Sequence, residues 1–313
     1  MKGIELSEKF FFKFGKPMLQ QGFPELLPKI ACGIIGEGSE CFGFDDKIST
    51  DHDFEAGFII FLPGEDIVDR RTAFLLERAY AKLPKEFEGV SRPRLSPVGG
   101  ARKGVIRTED FFKSKIGVVN GDLSLNQWLT VPEQALAEAT NGKIFFDDYG
   151  EVSKIREKLS YYPEDVRLKK LAGNLLLMAQ SGQYNYKRCI DHGESAAAQL
   201  AVFEFINRAI SVIFLLNEVY MPYYKWSFRA LRGLPKLSIE ADIMEYLITT
   251  DNSESLCEER YYAIEGIAAD IIDELSEQGI TKAICGDLEK HAYSVNDFIA
   301  DDTIRNMNIL AAI

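Results

Sequence analysis

The feature that most constrains this chain lies between residues 30 and 62. Ile30-Ala31-Cys32-Gly33-Ile34-Ile35 reads as a short buried strand. It stops at Gly36-Glu37-Gly38-Ser39, where two glycines permit a sharp turn. A second run, Asp51 to Leu62, alternates polar and apolar residues at first. From Ala56 it becomes almost wholly apolar, as a central strand does, and Pro63-Gly64 ends it. The first part of the chain is therefore expected to fold around a sheet.

The remaining periodicities fill in the organisation. Ser7 to Lys29 carries Phe and Leu at helical spacing, with breaks expected near Gly15-Lys16-Pro17 and Phe23-Pro24. A helix is expected from Asp66 to Leu83, then a loop from Pro84 to Ala101, rich in Pro, Gly and Arg. Lys103 to Thr108 reads as a third strand leading into a helix capped at Thr108. Gly142 to Asp148 reads as a strand and turn. Beyond Glu151 the patterns are almost all helical. The clearest are Leu168–Gln180 and Glu194–Tyr220, followed by Ile239–Leu247, Glu258–Gln278 and Ile280–Tyr293. The expected class is α+β: a small mixed-sheet domain over residues 1–150, followed by a helical-bundle domain over 151–313.

Composition narrows the function. The formal charge of −12 disfavours extended nucleic-acid binding, although a local basic pocket for a triphosphate remains compatible with it. No apolar run is expected to reach the roughly 20 residues of a membrane span. Glu5 falls where a signal peptide would be basic and then apolar. No membrane partner is expected, and the location is expected to be cytoplasmic. The five cysteines are odd in number and never spaced Cys-x-x-Cys, so reduced thiols are expected rather than disulfides or structural zinc. Three histidines leave little for a zinc centre or a Ser-His-Asp triad.

The stretch Gly38-Ser39 to Asp53-Phe54 carries the chemistry. On an extended strand Asp51 and Asp53 share a face, roughly 7 Å apart, with Glu55 in the same register. Carboxylates so placed beside an apolar core repel by up to several kcal/mol without a cation. Mg²⁺ carrying the phosphates of a nucleotide relieves that repulsion, and a second ion would neutralise a leaving pyrophosphate. The N–H groups of the Gly38-Ser39 turn and the Ser39 hydroxyl can face a phosphate. Asp51 and Asp53 are thus the candidate catalytic and metal-binding residues, and Gly38 and Ser39 the candidate phosphate holders. The bland alternatives are a solvated acidic strand edge and an ordinary tight turn.

An apolar strand, Gly38-Ser39, eleven residues and then Asp51-His52-Asp53 resembles the signature of the polymerase-β-like nucleotidyltransferase superfamily. With Tyr220-Met221-Pro222-Tyr223-Tyr224-Lys225-Trp226, the chain also resembles a family known only as a domain of unknown function, DUF4037. In layout it is similar to antibiotic nucleotidyltransferases with a helical carboxy-terminal domain. The resemblance extends from about residue 25 to 310. It implies Mg²⁺-dependent transfer of a nucleoside monophosphate, AMP for preference, from a nucleoside triphosphate to the hydroxyl of a small-molecule or protein acceptor. A homodimer is compatible with it. The superfamily usually adds a third carboxylate from a later strand, and Lys103-Gly104-Val105-Ile106-Arg107 has none. Glu55, Glu109 or Asp122 would have to substitute. Otherwise the chain is a nucleotide-binding regulatory or interaction protein that has lost turnover.

Other residues divide between functional and structural readings. Lys225 is a candidate for the triphosphate, or else a lysine laid along an aromatic cluster. Tyr184, Arg188 and Tyr223 are candidates for the acceptor side, against the alternative that Gln183 to Arg188 is an ordinary interhelical loop. Arg188 and His192 are spaced too closely for the Arg–His pair of helical ribonuclease domains. His52 is expected to face away from Asp51 and Asp53. Asp147-Asp148 reads as a turn.

Overall fold

The computed structural model describes residues 1–46, 55–91, 103–253 and 255–313. The described strands are β1 (Ala31–Ile34), β2 (Ile59–Leu62), β3 (Glu86–Phe87), β4 (Val90–Ser91), β5 (Gly104–Arg107) and β6 (Lys143–Asp147). Four of them form a mixed sheet in the order β5-β2-β1-β6. β1 is antiparallel to both β2 and β6, whereas β2 and β5 run parallel. The fold is α+β, as the sequence implies.

Contacts divide the chain into two compact units. One comprises residues 1–123 and 132–160; the other comprises 124–131 and 161–313. The helix Glu151–Lys158 belongs to the first because Arg156 donates to the carbonyls of Thr140 and Asn141 at 2.6 and 2.8 Å. The change to helical sequence at residue 151 therefore precedes the division between units.

In the sheet-bearing unit, β2 is covered on both faces, which explains its uniformly apolar sequence. Ile60 and Leu62 join the amino-terminal helix residues Leu6, Phe10 and Phe11 in one core. Phe61 meets Phe111 edge-on, with ring centroids 5.3 Å apart. β2 starts later than its sequence suggests. The hydroxyl of Tyr80 accepts from Phe58 N–H and donates to Phe58 C=O, which also accepts from Gly104 N–H at 3.0 Å, so the Phe58 N–H pairs with a side chain rather than with a strand. Glu55 to Phe58 therefore lie outside the strand.

The amino-terminal helix also departs from expectation. Gly3–Phe10 passes through a π-turn, Phe11–Gly15, directly into Lys16–Gly22, with no break at Gly15. Pro17 lies just after the π-turn, inside this continuous helix. Gly15 is a packing residue: a Cβ there would overlap the Phe58 ring. The expected loop at 84–101 contains the β3–β4 hairpin. Thr108 is the first residue of its helix rather than the cap, because its hydroxyl donates to Leu62 C=O at 3.1 Å.

In the helical unit, Glu164–Met178 packs on both Ser195–Leu216 and Leu288–Asp297. The fully buried Lys169 donates to Asn296 Oδ1 and to the carbonyls of Arg305 and Met307, fastening the chain's last residues to this helix. The expected helix from Ile280 begins only at Leu288, capped by Asp287. Ser195–Leu216 corrects a further expectation. It is 22 residues long and, by length and composition, apolar enough to cross a membrane. Of its apolar window, 56% is buried inside the unit, and its Glu204–Arg208 ion pair (2.7 Å) interrupts the apolar run.

Candidate functional site

The turn after β1 is built by contacts from distant parts of the sequence. Gly36 has φ +119°, a conformation that favours glycine. Asn141 clamps it from both sides, its Oδ1 accepting from Gly36 N–H at 2.9 Å and its Nδ2 donating to Gly36 C=O at 2.7 Å. Gly38 is extended, and Ser39 opens a single 3₁₀ turn, Ser39–Phe42, rather than a longer helix. Phe44 N–H closes this turn on Ser39 C=O at 2.9 Å. Ser39 is half-buried and Gly38 buried.

Immediately behind the turn lies an ion pair that sequence reasoning missed. Glu40 and Lys103 approach to 3.3 Å with side chains only 9% and 5% exposed. The Glu40 carboxylate folds back over Gly38, where a Cβ would collide with it. The turn itself leaves Gly38 in an ordinary extended conformation, so it is the Glu40 carboxylate, which would have to move for a larger residue, that favours glycine there. Lys103, the residue before β5, also donates to Glu55 C=O at 2.7 Å. One ammonium therefore ties the Gly-Ser turn, the approach to β2 and the start of β5 together. The available signal was two charged residues flush against apolar strands, Glu40 after Gly38-Ser39 and Lys103 before Gly104-Val105-Ile106.

A second anchor holds the far side of the turn. The buried Asp45 accepts from Gly3 N–H at 2.9 Å, at the start of the amino-terminal helix, where a carboxylate is favoured. Lys2 donates to the carbonyls of Gly43 and Asp45 at 3.0 and 2.8 Å. Residues 36–46 are thereby fixed at both ends. Asp51 and Asp53, with His52, lie outside the described residues.

The described candidates for a third carboxylate separate clearly. β2 and β5 begin at the end of the sheet where β1 ends, so their carboxyl ends lie opposite the Gly-Ser turn. Glu109 follows β5 and belongs to that opposite end, near Gly64. There it joins Asp66, Asp147 and Glu151, and burial, together with these neighbours, raises the Glu151 carboxyl above its ordinary value against a lowering hydrogen bond from Thr108. Asp147 itself caps the following helix, accepting from Gly150 N–H and from Ser153. Asp122 pairs with Lys158 at 2.7 Å. Among the described residues no group of three His, Cys, Asp or Glu is placed to hold a metal.

The other candidates belong to the helical unit. Lys225 is exposed and lies over the Trp226 ring, 5.2 Å from its centroid, with Arg229 on the same ring at 5.8 Å. Tyr223 meets Tyr224 in a tilted ring contact, with centroids 4.4 Å apart and planes at 52°. Lys225 thus falls in a different unit from Gly38 and Ser39. Gln183 to Arg188 is not a loop: a π-helix, Ala179–Tyr186, carries Glu164–Met178 straight into Lys187–Asp191. Tyr184 is 60% exposed, with the Arg188 guanidinium over its ring at 5.0 Å. His192 is exposed at the end of the same helix.

Residues 128–227 match the family model "Domain of unknown function (DUF4037)". The resemblance carried by Tyr220 to Trp226 is borne out over those residues, a narrower span than the sequence motifs suggested. Among solved structures, the chain is similar to a nucleotidyltransferase-like protein from Exiguobacterium sibiricum 255-15, at 12% identity and a TM-score of 0.38, over 85% of this chain and 77% of that one. No curated protein matches.

Proposed function

We propose that the chain transfers a nucleoside monophosphate, AMP for preference, from a nucleoside triphosphate to an acceptor hydroxyl, with pyrophosphate leaving. The observation that carries this reading is the fixed Gly38-Ser39 turn. Glu40, Lys103 and the Glu55 carbonyl hold it at the end of the sheet where β2 and β5 begin. Asp51 and Asp53 fall in the sequence between Asp45, which anchors the far side of the turn, and Glu55, whose carbonyl Lys103 holds.

The donor set suits the metal. Two aspartate carboxylates offer only oxygen, the preference of Mg²⁺, and no described cluster competes for the role. When bound, Mg²⁺ supplies charge neutralisation for the phosphates. Asp51 and Asp53 would hold it, while Gly38 and Ser39 position the phosphates through backbone N–H groups and a hydroxyl. Tyr184, Arg188 and Tyr223 stand as acceptor-side assignments, and Lys225 as a triphosphate contact.

The test is calorimetric titration with Mg²⁺ and each nucleoside triphosphate, beside the Asp51→Asn/Asp53→Asn double variant. Magnesium-dependent binding that vanishes in the variant supports the reading; no binding of any triphosphate refutes it. Lys103 favours a second reading, in which nucleotide is bound without turnover. The strand expected to bring a third carboxylate is preceded instead by a buried lysine neutralised by Glu40. Pyrophosphate release with any acceptor disposes of this alternative.

A further inference from the structure

The helical unit contains a cavity of about 600 Å³ whose lining shares only Tyr184 with the nucleotidyl-transfer reading. That volume lies within the usual range for small-molecule sites. Leu176, Leu177 and Leu310 make its walls apolar, Tyr184 contributes a ring, and Asp287 and Glu289 bring carboxylates. The nearby structure is built rather than incidental. Gln183 donates to Glu265 Oε2 and to Gly286 C=O, both at 2.8 Å, and its own oxygen accepts from Leu288 N–H at 2.9 Å. One amide thus straps three elements together beside the opening.

The backbone deformation points to the same place. Ala179–Tyr186 is a π-helix, and Ala179, Gln180, Gln183 and Tyr184 from it all line the cavity. π-segments weaken helical hydrogen bonding and recur at functional sites. Here the inner side of the π-segment is fixed by core packing. Gly182 lies against Phe205, and the buried Tyr186 hydroxyl accepts from Arg260 Nε at 3.3 Å. That leaves Gln180, Gln183 and Tyr184 on the outer side, toward the cavity.

We propose that this cavity binds an amphipathic primary amine, with its aliphatic body against the leucines and its ammonium group at Glu289 and Asp287. Asp287 Oδ1 already accepts from Glu289 N–H as the helix cap, whereas the exposed Glu289 carboxylate is placed to receive a cation. The Tyr184 face already carries Arg188. The incoming ammonium is therefore directed to the carboxylates rather than to the ring.

The experiment uses the full chain and three probes of matched shape: octylamine, octanol and octanoate, titrated by calorimetry near neutral pH without nucleotide. Octylamine is expected to bind about tenfold more tightly than octanol, with octanoate weakest. Glu289→Gln should bring octylamine to within about twofold of octanol. Gln180→Trp, which fills the cavity from an exposed position, should abolish binding of all three while leaving the melting temperature unchanged. Octylamine binding no tighter than octanol, or binding undiminished in a folded Gln180→Trp variant, overturns the proposal. Because no nucleotide is present, its failure is separate from failure of nucleotidyl transfer.

Discussion

Replacing Lys103 by Met keeps the aliphatic stem and removes the ammonium. It strips Glu40 of an ion-pair partner at 3.3 Å and leaves the Glu55 carbonyl without its 2.7 Å donor. Both charged side chains are at least nine-tenths buried, so the carboxylate left behind cannot simply return to water. Removing one partner of a buried pair costs about 3–5 kcal/mol. The pair distance exceeds that of a short charge-assisted bond, so the lower end, about 3 kcal/mol, is expected. With an m-value of about 2 kcal/mol per molar urea, the midpoint should fall by roughly 1.5 M. Urea melts followed by circular dichroism read this directly.

The double variant Lys103→Met/Glu40→Leu should recover most of the loss, because an apolar pair of similar volume replaces a desolvated ionic one. A single variant within about 0.5 kcal/mol of wild type, or a double variant as unstable as the sum of the singles, would refute the reasoning.

Three further outcomes are expected. Asp53→Asn should abolish pyrophosphate release with an unchanged melting curve; full activity in that variant would sink the assignment of Asp51 and Asp53 to the metal. Glu240 is fully buried, and its carboxyl is pushed up to about 8, first by burial and then by the neighbouring Asp270 carboxyl group. The folded state therefore keeps a proton that the unfolded chain releases near 4.5, and stability is lost as pH rises from there toward 8. Glu240→Gln should flatten that slope by up to about 1 kcal/mol per pH unit in melts at pH 5, 6.5 and 8, and an unchanged slope would contradict it. Gly182→Ala places a methyl group into Phe205 and Ile264 and should cost about 1–3 kcal/mol, lowering the melting temperature by several degrees; no change would mean that the π-segment yields.

Local patterns account for what was legible. β1, β5, β6 and the helices Arg70–Ala81 and Cys257–Glu277 follow from apolar spacing within one element, and the structure has them near the expected residues. Where expectation failed, a contact from far along the chain had won. Tyr80 takes the Phe58 N–H and delays β2, Phe58 makes Gly15 a packing residue, and Leu62 draws Thr108 off its cap. The π-segment escaped notice because its outward polar residues read as a loop, while the core contacts of Gly182 and Tyr186 have no local signature.

The candidate site shows the same division, and the consequence bears on function. Gly38-Ser39 and Asp51-x-Asp53 are local motifs and were legible; the Glu40–Lys103 pair and the Asn141 clamp join residues far apart in sequence and were not. Yet a distant contact bears on the local motif, since the Glu40 carboxylate that Lys103 holds lies over Gly38, where a Cβ would meet it unless it moved. A glycine kept for packing would persist in a chain that had lost turnover. The Gly-Ser turn therefore cannot separate an enzyme from a nucleotide-binding descendant. That decision rests on Asp51 and Asp53, whose carboxylates are assigned only to the metal, and on whether pyrophosphate leaves when they are present and stays when they are not.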